Sequence, residues 1–426
     1  MLEILFIITV VIIWAMIAFN FILTMGGYAY WRKFFSFPPR YVTDNELPCV
    51  SAMVPARNEE MVIEKTVRSL LAMDYPYEKL EIIVINDKST DRTAEIVGRL
   101  AQEDPRVRLL SWPAAERGSG KPRALNEGLQ LCRHPIIAIY DGDNNPHVAS
   151  LRILCSHLVR NPSLTAVLGK FRCLNRNKNV LTRMVNIETI GFQWMIQAGR
   201  YFFSKFAVLP GTNYIIRKEA LAEVGGWDIK AITEDSELSV RLQEKGYQVQ
   251  FVPTSVTWEQ EPETIRAWVK QRTRWVRGNN YVMAKFARRA LHGGSWRLTA
   301  ELFYLFGLYY LFLFSTVASH VLFLLGLFGI AALHLPGPYT AVWMSAFVLF
   351  CVELFFVLSY EREDTPANLA TTVLMYFTYG QLWIYVVFKG LWFDVTRSRV
   401  GVWDKTERYK VQDEAASPPQ LNPQEL

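Results

Sequence analysis

The chain has 426 residues, 51% of them hydrophobic and 14% aromatic, with a formal net charge of +6. That length holds roughly two or three ordinary domains, and so much apolar surface beside 20% charged residues argues against a purely soluble enzyme. The modest charge contains no dense basic run, which excludes nucleic acid as a partner and fits a cytoplasmic membrane surface.

The five cysteines, Cys49, Cys132, Cys155, Cys173 and Cys351, are odd in number and lack C-x-x-C spacing. They read as reduced, structural and cytosol-facing, with no zinc site among them. At the amino end, residues 4–25 form an apolar run long enough to span a bilayer. The Met-Leu-Glu start lacks a basic n-region and no small-x-small site follows, so the run reads as an anchor rather than a cleaved signal peptide. Arg32, Lys33 and Arg40 follow it and none precedes it, which predicts an outward N-terminus and a cytosolic domain beyond.

From Pro48 strands and helices alternate. A strand at 49–54 leads into P-A-R-N-E-E (55–60), where Asn58 is the expected N-cap of a helix to Met73, with Glu59 and Glu60 in its first turn. A strand at 80–85 is followed by N-D-K-S-T-D (86–91) and a helix over 92–100. A third strand at 107–110 precedes a G-S-G-K loop (118–121) and a helix over 123–131. Next comes P-I-I-A-I-Y-D-G-D-N-N-P (135–146), an apolar β-branched run ending in Asp141 and Asp143 around Gly142. Two acids at the end of a strand make a site for a hard divalent cation completed by substrate phosphates. Taken alone, D-x-D is equally a loop with one capping and one solvated aspartate. The alternation predicts an α/β, doubly wound, mostly parallel sheet, with ligands beyond the carboxyl ends of its strands. The loops at 55–59, 86–91 and 141–145 all fall on that rim.

A helix at 151–159, a strand at 165–173 and a helical stretch at 181–200 follow. In V-L-P-G-T-N-Y-I-I-R-K-E-A-L (208–221), Gly211 permits close backbone approach. After a G-G-W-D turn (225–228), I-T-E-D (232–235) opens a helix to Lys245, with Thr233 readable as an N-cap ahead of two acids. Residues 263–290 form a basic, Trp-rich helix carrying Trp268, Lys270, Arg272, Arg274, Trp275, Arg277 and Lys285, suited to a membrane interface. Its Q-R-T-R-W (271–275) holds more specific donors than lipid contact requires. Apolar segments at 302–332, 341–360 and 369–393 come last. Three crossings would place the C-terminus outside, whereas Arg397, Arg399, Lys405, Arg408 and Lys410 hold it inside. One segment is therefore expected to be interfacial or re-entrant and the tail cytosolic. The final A-S-P-P-Q-L-N-P-Q-E-L reads as disordered. The expected organisation is an anchor (1–31), a cytosolic domain (32–262), interfacial helices (263–298), transmembrane helices (299–394) and a tail (395–426).

The ordered set P-x-x-N-E, D-x-S-T-D, D-x-D, T-E-D and Q-x-x-R-W resembles inverting glycosyltransferase family 2, in its membrane-integrated branch of cellulose, hyaluronan, chitin-oligosaccharide and poly-N-acetylglucosamine synthases. The resemblance covers 48–278 by motif and the rest by layout, and it implies a GT-A type domain flanked by transmembrane helices. It implies that Pro55, Arg57, Asn58, Glu59 and Asp87 line a nucleotide pocket, Asp87 at the uracil edge, with Lys121 nearby. Asp141 and Asp143 would form the D-x-D site, Asp143 binding Mg²⁺ or Mn²⁺ directly. Asp235, beside Glu234, would be the general base. Gln271, Arg274 and Trp275 would close over diphosphate and acceptor sugar, near Gly211 and Thr212 of the acceptor loop, Arg274 also stabilising the leaving phosphate.

The expected reaction moves a hexose or N-acetylhexosamine from a UDP-sugar to a growing β-linked polysaccharide, processively and with export, at the plasma membrane. The lipid bilayer is a partner, and an accessory export subunit is allowed by the resemblance. A non-processive transferase acting on a membrane lipid is the alternative enzyme, and an inactive scaffold or export subunit the non-enzymatic one. Asn213, where several branches have a small residue, and D-G-D, in place of D-A-D or D-S-D, depart from the pattern at positions expected to contact the sugars.

Overall fold

The computed structural model describes residues 2–36, 41–112, 120–293, 295–330 and 337–396. The tail cations from Arg397 to Lys410, the final polar stretch, Arg40 and Gly118 lie outside the described residues. Eight strands, β1 (Val50–Ala56), β2 (Leu80–Asn86), β3 (Val107–Ser111), β4 (Ile136–Ile139), β5 (Asn145–Pro146), β6 (Leu164–Cys173), β7 (Tyr214–Arg217) and β8 (Gln248–Glu259), form one sheet in the order β3-β2-β1-β4-β7-β6-β8-β5. β3, β2, β1 and β4 are parallel neighbours. Every residue of β1, β2 and β4 is buried, as continuous apolar runs must be when both faces are covered.

This half is the expected doubly wound sheet. Beyond β4 it becomes mixed, because β7 enters antiparallel between β4 and β6. β7 and β8 are strands beyond those read from the sequence. β8 runs parallel to β6 with a register shift opposite Gly169, where residues 252–255 bulge out. Pro253 lies in that bulge, where a residue without an N–H costs the ladder nothing.

One expected cap is corrected. The first helix after β1 is Ile63–Leu71 with Val62 at its N-cap, not Asn58. Asn58 instead takes a left-handed φ of 54°, accepts from the Thr90 amide at 2.8 Å and donates its own amide to Ser89 at 2.9 Å. The Glu59 amide donates to Thr93 Oγ1 at 2.8 Å and that of Glu60 to Asp91 at 3.1 Å. The first two motif loops thus satisfy each other's backbone, and cross-loop bonding takes the side chain that a cap would have used.

The helical stretch after β6 has three parts: Val180–Gly191, capped by Asn179 and Thr182, a π-helical segment Phe192–Ala198, and Gly199–Ser204. Gln193 in the π segment donates to the Phe171 carbonyl at 2.7 Å, and Gln197 clasps Val208 through two bonds of 2.6 and 2.7 Å.

Three helices, Leu2–Ser36, Trp296–Leu327 and Ala341–Tyr360, are long and apolar enough to cross a membrane. The last helix, Pro366–Val395, forms over the third expected segment but is not among these three. It packs along Val180–Gly191 and the basic helix Ile265–Leu291. The N-terminal helix is part of the domain's core. Tyr30 and Phe34 are buried in it, and the Tyr30 hydroxyl donates to the Phe251 carbonyl at 2.5 Å. A Cβ at Gly27 would lie 2.0 Å from the Trp194 carbonyl oxygen, so the two helices cross in backbone contact. A second tie joins sheet to membrane helices. Buried Glu361, just past Tyr360, pairs with Lys170 of β6 at 2.9 Å, with Arg172, and with the Trp194 indole N–H at 2.5 Å.

Candidate active site

Three motifs meet on one ammonium. Lys121 opens the helix Lys121–Leu131 behind Gly120, whose φ is 84°. Its Nζ lies 2.7 Å from Asp141 Oδ1, 3.0 Å from Glu234 Oε1 and 3.0 Å from the Gly211 carbonyl. D-x-D, the loop at Gly211 and T-E-D therefore converge although they are spread over residues 141–235. Burial alone would lower the Lys121 pKa, but the carboxylates of Asp141, Glu234 and Asp235 together hold it raised. The D-x-D turn is strapped down by its own neighbours. The Asp141 amide donates to Thr212 Oγ1 at 3.1 Å and Asn144 Oδ1 at 3.2 Å, and the Thr212 hydroxyl donates to Asn144.

Asp235 heads the helix Glu234–Glu244, with one oxygen accepting the Ser236 amide at 2.7 Å. Burial, then the neighbouring Glu234 carboxylate, pushes its pKa up to about 7 despite the pull of Lys121. A carboxylate poised there suits a general base at neutral pH. Gly211 explains itself at this point. Its φ is 83°, and a Cβ there would lie 2.9 Å from Asp235 Oδ2 and 3.5 Å from Lys121 Nζ.

Thr233 holds the N-cap position but makes no capping bond. Its buried Oγ1 has no hydrogen-bond partner among the described residues. Gly278 of helix Ile265–Leu291 presses on it instead, so closely that a Cβ there would lie 2.4 Å from Thr233 Cγ2 and Oγ1. Lys285 joins the same two helices, 2.6 Å from Glu237, and with the Tyr281 hydroxyl it holds Asp228 of the G-G-W-D turn, at 2.6 and 2.7 Å. Against burial, which raises it, Lys285, the Lys230 amide and Tyr281 bring the Asp228 pKa down to about 2. Helix Ile265–Leu291 therefore holds both the G-G-W-D turn and the helix that carries Asp235.

Lys121, Asp141, Asp143, Gly211, Thr212, Glu234, Asp235, Gln271, Arg274 and Trp275 all line one cavity of about 2360 Å³. It continues between the membrane helices, where Leu23, Phe312 and Phe347 face it. Pro55, Arg57, Asn58, Glu59 and Asp87 are not on that wall; they form an adjoining cluster. Buried Asp87 accepts from the Gly120 amide at 3.0 Å, one residue before Lys121. A Cβ at Gly142 would lie 3.1 Å from Glu59 Cγ and 3.5 Å from the Pro55 carbonyl, so this cluster abuts the D-x-D turn.

Asn213 corrects an expectation. It is fully buried, with φ 48°, and donates to the Lys170 and Ser255 carbonyls at 3.0 and 3.2 Å. It tethers β7 to the β6–β8 bulge and does not reach a sugar site. The sequence reading also missed Glu188, whose carboxylate takes bonds from Arg272, Tyr379 and Trp383 at 2.5, 2.9 and 3.0 Å. Only the Arg272 end of that set lies in a recognisable motif.

A family model described as glycosyltransferase like family 2 matches residues 48–278, from just before β1 to just past Trp275. The chain belongs to glycosyltransferase family 2. This family 2 enzyme is 40% identical over 412 residues, 95% of its own length and 98% of the relative's, to the probable glycosyltransferase YdaM of Bacillus subtilis (strain 168). It is 29% identical over 241 residues to the poly-beta-1,6-N-acetyl-D-glucosamine synthase of Staphylococcus aureus (strain COL), spanning 57% of each chain. Among solved structures, the mannosyltransferase PcManGT from Pyrobaculum calidifontis, in complex with GDP-Man and Mn²⁺, superposes with a TM-score of 0.55 at 22% identity. That match covers 86% of this chain and 98% of that one. The fold of this glycosyltransferase is GT-A type.

Proposed function

We propose that the protein is an inverting, membrane-embedded transferase that moves a hexose or N-acetylhexosamine from a UDP-sugar onto a growing β-linked polysaccharide and exports the chain as it grows. The observation that supports this is one cavity of about 2360 Å³ that is lined both by Asp235 and Lys121 and by the helices long and apolar enough to cross a membrane. A site meant only to release a small product needs no such continuation.

Each group has a task. Asp235 takes the proton of the acceptor hydroxyl as that oxygen attacks the anomeric carbon from the face opposite the diphosphate, so one displacement inverts the centre. No covalent sugar–enzyme intermediate is needed, unlike the double displacement of retaining glycosidases. Lys121 balances Asp141 and Glu234 before the donor arrives. Arg274 meets the negative charge that builds on the leaving diphosphate, where stabilisation matters most. Gln271 and Trp275 hold the acceptor sugar, and the cluster around Asn58 and Asp87 takes the nucleoside, Asp87 at the uracil edge.

Asp141 and Asp143 fit a divalent cation: two hard oxygen donors at a strand end, both on the cavity wall. Bound there, Mg²⁺ or Mn²⁺ would neutralise diphosphate charge. The Mn²⁺ and GDP-Man of the Pyrobaculum enzyme support that reading. Three crossings, by Leu2–Ser36, Trp296–Leu327 and Ala341–Tyr360, would leave the catalytic domain and the last helix on one side, and the cations after the first span support the cytosol as that side.

The test is a radiolabelled-donor assay on the purified full chain in detergent, with UDP-glucose or UDP-N-acetylglucosamine and Mg²⁺ or Mn²⁺, the product divided into butanol-soluble and immobile fractions. Label in immobile polymer supports the proposal and names the sugar. Label confined to the butanol phase makes this a glycolipid transferase and overturns processivity.

A further inference from the structure

We propose that Arg272 and Glu188 are a positioning pair that holds Gln271 and Trp275 against the acceptor side of the site, a role that rests on the transferase reading above. Arg272 stands at the wall of the same cavity but is only 1% exposed, and it touches two residues expected to meet the acceptor. Its guanidinium lies 3.8 Å from the Trp275 ring centroid, and its Nη1 donates to Gln271 Oε1 at 2.6 Å.

The consequences are specific. Arginine only donates, so Gln271 must turn its oxygen to Arg272 and is left with its two amide N–H donors for an oxygen-rich ligand. Trp275 has one face covered by the cation, which fixes the plane it offers to a sugar ring. Glu188 supplies the counter-charge at 2.5 Å and is itself held by Tyr379 and Trp383 of Pro366–Val395. Trp268 closes the ring by donating to the Tyr379 hydroxyl at 2.8 Å. Arg272 Nε, buried among these rings, has no hydrogen-bond partner among the described residues. Packing alone would be served better by an apolar side chain, because a buried charge with an unmet donor is costly. Orientation is what the guanidinium adds.

The experiment uses the full chain in detergent with UDP-glucose and UDP-N-acetylglucosamine. Arg272→Met and Glu188→Gln should each lower kcat about 100-fold, the scale of a misplacement near 1 Å, with donor KM held within about threefold. The double variant should be no slower than the worse single, since both remove one function. Unchanged kcat, multiplicative losses, or a raised KM with kcat retained would overturn the pair.

Hydrogen exchange reads the same wall without any donor. Residues 268–276 should exchange about tenfold faster in Arg272→Met while β1 and β2 keep their wild-type rates. Equal exchange at 268–276, or faster exchange throughout the chain, refutes positioning. A wild type silent on both sugars would count against the donor reading alone, and exchange would still decide the pair.

Discussion

Gly278→Ala isolates the coupling between the basic helix and Asp235, the proposed base. The new Cβ would sit 2.4 Å from Thr233 Cγ2 and Oγ1 and 2.8 Å from Thr233 Cβ. Carbon pairs prefer about 3.5–4.0 Å, so the two segments must part by about 1 Å. Replacing glycine inside a helix returns about 1 kcal/mol, whereas overpacking costs about 1–3 kcal/mol. The net loss of stability is therefore about 0–2 kcal/mol, too little to unfold the domain. Catalysis is far more sensitive. Thr233 immediately precedes Glu234 and Asp235, and a 1 Å shift there should slow transfer about 100-fold, or about 2.7 kcal/mol. The assay pairs initial transfer rate with the thermal midpoint of the detergent-purified chain. Thr233→Ala in the Gly278→Ala background removes the two nearest clashing atoms and leaves the Thr233 Cβ at 2.8 Å, and the Thr233 hydroxyl has no partner to lose. The double variant should recover part of the rate. A fully active Gly278→Ala, or a double variant as slow as the single, refutes the reasoning.

Asp235, near 7 in the donor-free enzyme, should give kcat/KM that rises tenfold per pH unit below about 7 and levels above it. Its folded-state pKa is raised, so its contribution to folding is fully present at acid pH and is lost as pH climbs through about 7. Asp235→Asn should remove that limb along with about 10²–10⁴ of rate, and a profile flat from about pH 5.5 to 8 excludes Asp235 as the base. Glu361→Gln removes the buried carboxylate charge that faces Lys170 and Arg172 and should cost about 3–5 kcal/mol in chemical unfolding; a loss below about 1 kcal/mol would show that pairing to be dispensable. Gly27→Val drives a side chain into the Trp194 carbonyl. Gel filtration in detergent should show little folded protein, and a wild-type yield would mean the helices do not cross as described.

The parallel half of the sheet was legible because β1, β2 and β4 are covered on both faces and must be written in continuous apolar residues. The site was legible where one short motif brings its own chemistry, as D-x-D and T-E-D do. β8 was not, because Pro253 and a run of Ser and Thr interrupt its apolar pattern at the bulge. Asn58 and Asn213 misled in opposite directions. Both are turn-forming residues whose side chains bond across loops or between strands, and a local rule sees only the turn. Glu188 and Arg272 meet over a sequence separation of 84 residues, and Glu188 carries no local signature of that pairing. Which of the three apolar segments departs from a simple crossing was not legible, because the last helix is apolar on average although it packs along Val180–Gly191 and Ile265–Leu291.

The Tyr30 hydroxyl waits for a partner 221 residues downstream. At ordinary synthesis speeds of about 5–20 residues per second, the first helix is in place on the order of ten to forty seconds before Phe251 exists. Until Trp194 is made, Gly27 lacks the backbone it packs on, and Tyr30 lacks its acceptor for longer still. Biogenesis therefore runs outward from the bilayer: an already inserted helix is the surface on which the late segments 192–204 and 248–259 close the fold. A foreign transmembrane sequence fused in its place would restore attachment to the membrane but not the template, and the enzyme should then depend on chaperones to reach its native state.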